Sequence, residues 1–372
     1  MLTTIPTPRV VVDPSRLRAN ISAMQDLASR AGVRLRPHAK THKSPAIARW
    51  QVEAGAVGIC CAKLGEAEVF AAAGIADIRL PYPINPSNAD RVLSLLHQTR
   101  LSIVVDSLDV AREWSARMLA AGRRLEVLVK VDVGFHRCGV NPDAPAVVDT
   151  IRQVADLSGL QFLGLLSHAG HGYGAGSVEE MRAIADREIQ ILKGLASQLK
   201  DKAVPVDEIS VGATPTARFI TAQRGATEMR PGNYVFFDRT QVGLESARLD
   251  QCALHVVAMV VSRPSPARVI FDAGSKVLTS DGLRGFGQQA GHGLVFPSLE
   301  AAIPDPSIVI ERLSEEHGVA RVQPSCPLRI GDRVRILPNH SCPVVNLTDE
   351  ILLVEGDRIV ERFEIAARGR ST

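Results

Sequence analysis

Arg36-Pro37-His38-Ala39-Lys40-Thr41-His42-Lys43 follows the short β-like run Val33–Leu35 and precedes a stretch from Ser44 that reads as the start of a helix. Two lysines, two histidines and an arginine therefore crowd the point where a strand gives way to a helix. In a parallel α/β barrel that point is the C-terminal rim, where side chains meet bound ligands. A lysine packed there among other cations and apolar strand residues holds its proton less firmly, and becomes available as a nucleophile for imine chemistry. By itself the octet reads equally well as a solvated basic loop ahead of a helix.

Outward from it, β-like runs recur at Arg9–Asp13, Arg34–Lys40, Ala56–Ala62, Asp77–Pro83, Leu101–Asp106, Leu125–Asp132, Gln161–Ala169 and Glu208–Ala213. Between them Ser15–Arg30, Ser44–Ala54, Leu64–Ala73, Pro86–Gln98, Leu108–Ala121, Asp143–Leu157 and Ser177–Lys200 read as helices. Ser177 and Glu180 have capping-box spacing, and Met181, Ile184, Ile191 and Leu195 mark one helix face. Largely apolar strands alternating with helices predict a (β/α)8 TIM-type barrel over residues 8–244. Beyond Leu244 the texture changes. His255–Ser262, Ala267–Ala273, Asp332–Leu337, Ile351–Glu355 and Arg358–Ile365 read as strands with little helix between them, which predicts a mainly β domain over residues 245–372, joined by 1–7.

The chain of 372 residues has room for both, and 45% apolar with 22% charged residues is ordinary globular composition. A net charge of +3 and 4% aromatic residues argue against nucleic acid and a membrane surface as partners. No apolar run approaches a membrane span, and the N-terminus lacks a signal pattern. Six cysteines without a disulfide spacing point to the reducing cytoplasm.

Chemistry in such a barrel gathers at the C-terminal strand ends. There the sequence places Lys40, then Arg137 in Asp132-Val-Gly-Phe-His-Arg-Cys-Gly139, then His168, His171 and Tyr173 in Ser167-His-Ala-Gly-His-Gly-Tyr173. Val211-Gly-Ala-Thr-Pro-Thr216 and Arg230-Pro-Gly-Asn-Tyr234 combine glycines, hydroxyls and a helix start, suited to a phosphate nest at the position where TIM barrels bind phosphate. Either alone is an ordinary turn. Together, an imine-forming lysine, an arginine able to bond a ring phenolate and a phosphate nest are the parts a pyridoxal 5'-phosphate site needs. In the β domain, Pro338-Asn-His340-Ser-Cys342 reads as extended, so that His340 and Cys342 face one side as a zinc-favouring pair with positions left for water or substrate. A lone His-x-Cys is more commonly a half-buried histidine beside an inert cysteine.

Pro37–Lys43, Asp132 with Arg137-Cys-Gly139, Val211–Thr216, Pro231–Tyr234, Glu316-His-Gly318 and Pro338–Cys342 resemble, in that order, the D-threonine aldolase and D-serine dehydratase family of alanine-racemase-like (fold type III) enzymes. The resemblance runs from about Thr7 to Gly369. It implies pyridoxal 5'-phosphate held by Lys40, a divalent metal on His340 and Cys342, and a homodimer. Within this family His38, Arg137 and Tyr173 are expected cofactor contacts, as are Gly212 and Thr214, and Gly232, Asn233 and Tyr234. The aldolases it resembles carry His-x-Asp at the metal and a histidine after the seventh strand. The dehydratases carry His-x-Cys, usually with zinc rather than manganese or magnesium, and a tyrosine there.

Cys342, Tyr173 and the Gly-Ala-Thr-Pro-Thr nest therefore favour a dehydratase. Ile59-Cys-Cys61, Val131–Gly134 and the Asn346–Gly369 tail look more like an aldolase, with His168 or His171 as its base. The expected reaction is loss of water from a D-3-hydroxy amino acid such as D-serine or D-threonine, giving a 2-oxo acid and ammonia. Retro-aldol cleavage to glycine and an aldehyde is the alternative. A racemase needs a second base, and Tyr82, Tyr173 and Tyr234 all precede the β domain that supplies it in alanine racemases. A non-catalytic carrier of pyridoxal phosphate resembles a barrel alone.

Overall fold

The structure is a computed structural model, and it describes residues 2–286 and 290–372. The chain forms two compact units: Ala23–Lys40, Ile47–Gly232 and Gly369–Thr372 make one, and Met1–Ser22, Thr41–Ala46 and Asn233–Arg368 the other. The packing units thus divide inside the octet, between Lys40 and Thr41, and at Gly232/Asn233, rather than at residue 244.

The first unit is a parallel eight-stranded sheet. Its strands are β2 (Arg34–Leu35), β3 (Ile59–Cys60), β4 (Asp77–Pro83), β5 (Arg100–Val105), β6 (Leu125–Lys130), β7 (Leu160–Leu166), β8 (Glu208–Val211) and β9 (Glu228–Met229). The order β2-β9-β8-β7-β6-β5-β4-β3 leaves β2 and β3 as ends. Val57 N–H donates to Leu35 O at 3.0 Å, Cys60 N–H donates to Pro37 O at 2.7 Å, and a parallel bridge joins His38 to Cys60, so the ends meet and the barrel closes. Helices follow the strands close to their expected limits. The helix Val178–Asp201 is capped by Ser177, which accepts from Glu180 N–H, while the Glu180 carboxylate takes Gly176 N–H and leaves the capping box half made.

The run Arg9–Asp13 does not belong to this barrel. As β1 (Arg9–Val12) it lies in the sheet of the second unit, antiparallel to β10 (Leu254–Ser265) and parallel to β16 (Glu350–Glu355). Val10, Val11 and Val12 are all buried, as a strand paired on both edges requires. The eighth barrel strand is instead β9, only two residues long, in the run that ends at Arg230. The second unit's sheet also holds β11 (Arg268–Phe271), β12 (Leu294–Phe296), β13 (Val309–Leu313), β14 (Gly318–Arg321), β15 (Arg333–Leu337) and β17 (Arg358–Glu364). β12, β13 and β14 escape a sequence reading because they are short and Glu311, Arg312 and Arg321 interrupt their apolar pattern.

Inside the barrel is a buried ion network. Glu228 accepts from Arg36 Nε at 2.7 Å, Arg79 Nη1 at 2.6 Å and the Ser210 hydroxyl. Arg36 also binds Asp77, and Arg79 reaches Glu208 at 2.8 Å and Ser102 at 2.9 Å. Gly58 makes room for it, since a Cβ there would lie 2.4 Å from Asp77 O and 2.6 Å from Arg36 Nη1. Burial opposes ionisation of Glu228, yet Arg79, Arg36 and Ser210 together hold its carboxyl down at about 2.

Because the folded value lies below the ordinary 4.5, Glu228 stabilises the fold fully above pH 4.5, and that contribution is lost as pH falls toward 2. Glu228→Gln leaves two buried guanidinium groups underpaired and should cost about 3–5 kcal/mol in denaturant unfolding at pH 7. The gap to wild type should narrow below pH 4.5, and a pH-independent gap would contradict the assignment.

Candidate functional site

The C-terminal ends of the barrel strands bring together Lys40, His38, Lys130, Arg137, His168 and Arg230. His38 stands two residues after Arg36, past the end of β2, and Arg230 two residues after Glu228, past the end of β9. Arg230 is buried and donates to Ser210 Oγ and Ser167 O. Lys40 stands in the turn Ala39–Thr41, exposed rather than packed as expected, because β2 ends at Leu35 and the chain then winds into a 3-10 turn.

The field of Lys40 nevertheless reaches both barrel histidines. Burial first, then Lys40, pushes His38 and His168 well below the ordinary imidazole range, so both are neutral. His38 Nδ1 accepts the Lys40 backbone N–H at 3.4 Å, which leaves its hydrogen on Nε2. His168 is the opposite tautomer: Nδ1 faces Gly212 O at 3.2 Å and must donate, leaving Nε2 as an acceptor. Phe135 packs edge-on against His168 at 5.7 Å, and the exposed Arg137 lies over the Phe135 ring, 5.0 Å from its centroid.

His171 is set apart from Lys40. It is half-buried under the Asp132–Gly134 loop, depressed by burial, with Glu188 and Asp132 acting against that. Tyr173 is half-buried in the turn Gly170–Gly174. Gly212 has φ +112°, and its N–H points to Glu188, which also takes the Ser167 hydroxyl at 2.6 Å. Thr214 Oγ1 accepts Gly232 N–H at 3.3 Å, so the two glycine-bearing loops meet as expected.

Lys130 had no place in the sequence reading, although a charge closing the apolar strand LEVLVK was the available signal. It is buried and donates to Pro81 O at 3.3 Å. Burial, then Arg230, push it down to about 8; Arg137 adds to this while Cys138 and Asp106 offset part. Such a surplus of positive groups around neutral imidazoles suits an anionic ligand, and a phosphate-bearing aldehyde would find an amine, a guanidinium and a glycine-rich loop there.

The second unit holds its own cluster. Asn233 and Tyr234 fall here: Tyr234 is buried, and Asn233 Nδ2 donates to Asp238 at 2.6 Å, to Ser341 Oγ at 3.0 Å and toward Cys342 Sγ at 3.7 Å. Only part of the 340–342 segment is extended. His340 is extended and stands at the N-cap position of the helix Ser341–Asn346 without a side-chain capping bond, and Cys342 lies in the first turn, where Pro343 is tolerated because its missing N–H has no partner to lose.

The two side chains still meet. Burial opposes the charge on His340, but Cys342, Asp238 and Asp281 raise it to about 10, with His340 donating directly to Cys342 and Asp281. Thr41 Oγ1 lies 3.2 Å from Cys342 Sγ. Among the described residues no three of His, Cys, Asp or Glu are placed to hold one metal ion together. Imidazole and thiolate side by side fit a divalent ion that keeps open positions.

Residues 12–240 match the alanine racemase N-terminal domain family, and residues 253–354 match the putative serine dehydratase domain. That succession defines an alanine-racemase-like enzyme, and relatives along the whole chain narrow the class. The chain is 35% identical to the D-threonine aldolase of Arthrobacter sp, covering 100% of this chain and 94% of that one. It is 35% identical to the D-threo-3-hydroxyaspartate dehydratase of Delftia sp. HT23 over 92% of each, whose solved structure superposes with a TM-score of 0.91 at 34% identity and 98% coverage of both chains. It is 28% identical to the D-serine dehydratase of Dictyostelium discoideum over 96% of each. The chain belongs to the D-threonine aldolase and D-serine dehydratase family; it is a lyase, and the family implies pyridoxal phosphate. No described helix is long and apolar enough to cross a membrane.

Lys130 gives a test of the barrel cluster in the protein before cofactor is added. Its folded value of about 8 lies below the ordinary 10.5, so its cost to stability is full below pH 8 and fades as pH rises toward 10.5. Lys130→Met should raise stability at pH 7 by about 1–3 kcal/mol, with the gain gone near pH 10.5. Equal gains at both pH values in thermal unfolding would refute the buried-ammonium reading.

Proposed function

We propose that this protein is a pyridoxal phosphate- and metal-dependent dehydratase of D-3-hydroxy amino acids, converting D-serine, D-threonine or a close analogue to a 2-oxo acid and ammonia. The observation that carries the choice is Cys342 beside His340, the His-x-Cys form that the resemblance associates with dehydration. Zinc is the metal that a thiolate with an imidazole favours. The cofactor supplies an electron sink for charge left at Cα, and the metal supplies a Lewis acid for the β-hydroxyl.

The chain's own residues do the rest. Lys40 would hold the cofactor aldehyde and carry the Cα proton, and its amine is exposed. His38, kept neutral, presents Nε2–H, and His168 presents an unprotonated Nε2. Arg137 and Tyr173 would contact the cofactor ring, while Gly212, Thr214 and Gly232 would take its phosphate. Two copies assemble as a homodimer in the cytoplasm, which suits six free cysteines. Retro-aldol cleavage is the second reading, favoured by the free Nε2 of His168 as a base for the substrate hydroxyl.

Incubation with D-threonine separates the two: 2-oxobutanoate and ammonia are expected, whereas glycine with acetaldehyde would establish the aldolase. Borohydride reduction should attach the cofactor to the peptide bearing Lys40, and Lys40→Ala should abolish turnover. His340→Ala or Cys342→Ala should lower dehydration about a thousandfold or more, the several kcal/mol a Lewis acid contributes.

A further inference from the structure

The structure assigns Asp281 as the positioning residue of His340: its carboxylate fixes which imidazole nitrogen faces a bound divalent ion. This rests on the reading of His340 and Cys342 as metal ligands. Asp281 Oδ2 lies 2.7 Å from His340 Nδ1. A carboxylate accepts, so Nδ1 keeps its hydrogen, and Nε2 is the nitrogen that gives up its proton to a metal. A hydrogen-bonded carboxylate also fixes the ring plane and makes Nε2 more basic toward a cation.

Independent features hold Asp281 in that position. Thr279 has φ +65° and ψ 163°, a conformation that a β-branched residue adopts only under constraint from its surroundings. The constraint is visible: the Thr279 hydroxyl accepts Asp281 N–H at 3.2 Å. Asn339, the residue before His340, donates Nδ2 to Asp281 O at 3.2 Å and to Gly291 O at 3.1 Å. Arg239 closes the far side, donating to Asn339 Oδ1 and to the carbonyls of Ala290, Gly291 and Gly293. Asp281 is thus tied by backbone to Asn339 and by side chain to His340, two neighbouring residues at the end of β15. Strain of this kind, retained beside a ligand pair rather than in a loop with nothing to orient, points to placement of a group.

The test uses the full-length holoprotein and reads metal binding directly, by competition with a chromophoric chelator for Zn2+ and by the thiolate-to-metal absorption of the Co2+-substituted protein. Asp281→Ala should weaken Zn2+ binding about 10- to 100-fold while Cys342 remains a ligand and its Co2+–thiolate band persists. Asp281→Asn keeps an acceptor for Nδ1–H and should restore most of the affinity, which a merely structural role for the turn would not explain if both variants melt alike. Unchanged Zn2+ affinity in Asp281→Ala, alongside a large loss in His340→Ala, would overturn the assignment and leave the metal reading standing. Equal losses in Asp281→Ala and Asp281→Asn with a shifted Co2+ spectrum would make Asp281 a ligand and overturn it as well. If His340→Ala itself bound Zn2+ like wild type, the parent reading would fall.

Discussion

The barrel depends on charges that cannot be left alone. Arg36 just past β2, Arg79 on β4 and Glu228 on β9 are all buried, and Glu228 accepts from both guanidinium groups. Burying an ion without its partner is among the most expensive things a fold can do. A slip of β2 or β9 by one residue would turn its charge to the other face and leave the rest underpaired. The network therefore sets register where hydrogen bonding is thinnest, since β2, β3 and β9 have only two residues each.

Register in turn aims the chemistry. His38 stands two residues beyond Arg36, Arg230 two beyond Glu228, and Gly212 two beyond Ser210, so the chain that carries the network leads directly into the candidate cofactor groups past the strand ends. The sign of charge reverses between the two clusters. The barrel end collects Lys40, Lys130, Arg137 and Arg230 around neutral histidines, an environment for an anion. The cluster in the second unit collects Cys342, Asp238 and Asp281 around one imidazole, an environment for a cation. Lyase chemistry on an amino acid with a β-hydroxyl calls for both, a phosphate-bearing electron sink and a Lewis acid.

Much of this was legible from residue order. Apolar strands of even spacing between amphipathic helices announced the barrel, and the capping serine at 177 announced its longest helix. Lys40, the glycine-threonine loop at 212–214 and the His-x-Cys pair stood out because unusual residue types cluster at strand ends. Other features were not legible. Arg9–Val12 looked like a first barrel strand, since three consecutive valines satisfy any sheet buried on both sides. Cys342 read as part of an extended run, whereas it lies in the first turn of a short helix.

The sequence by itself determined which local segments are strands and helices, and which short motifs carry reactive side chains, because period and residue type are properties of neighbours along the chain. Only the tertiary structure decided which sheet β1 joins, which carboxylate answers Arg36, why Lys130 is a depressed ammonium, and that Asp281 faces His340 across 59 positions. Those are pairings between residues far apart in the chain, and their energies come from shared burial, which has no signature in either partner's local sequence.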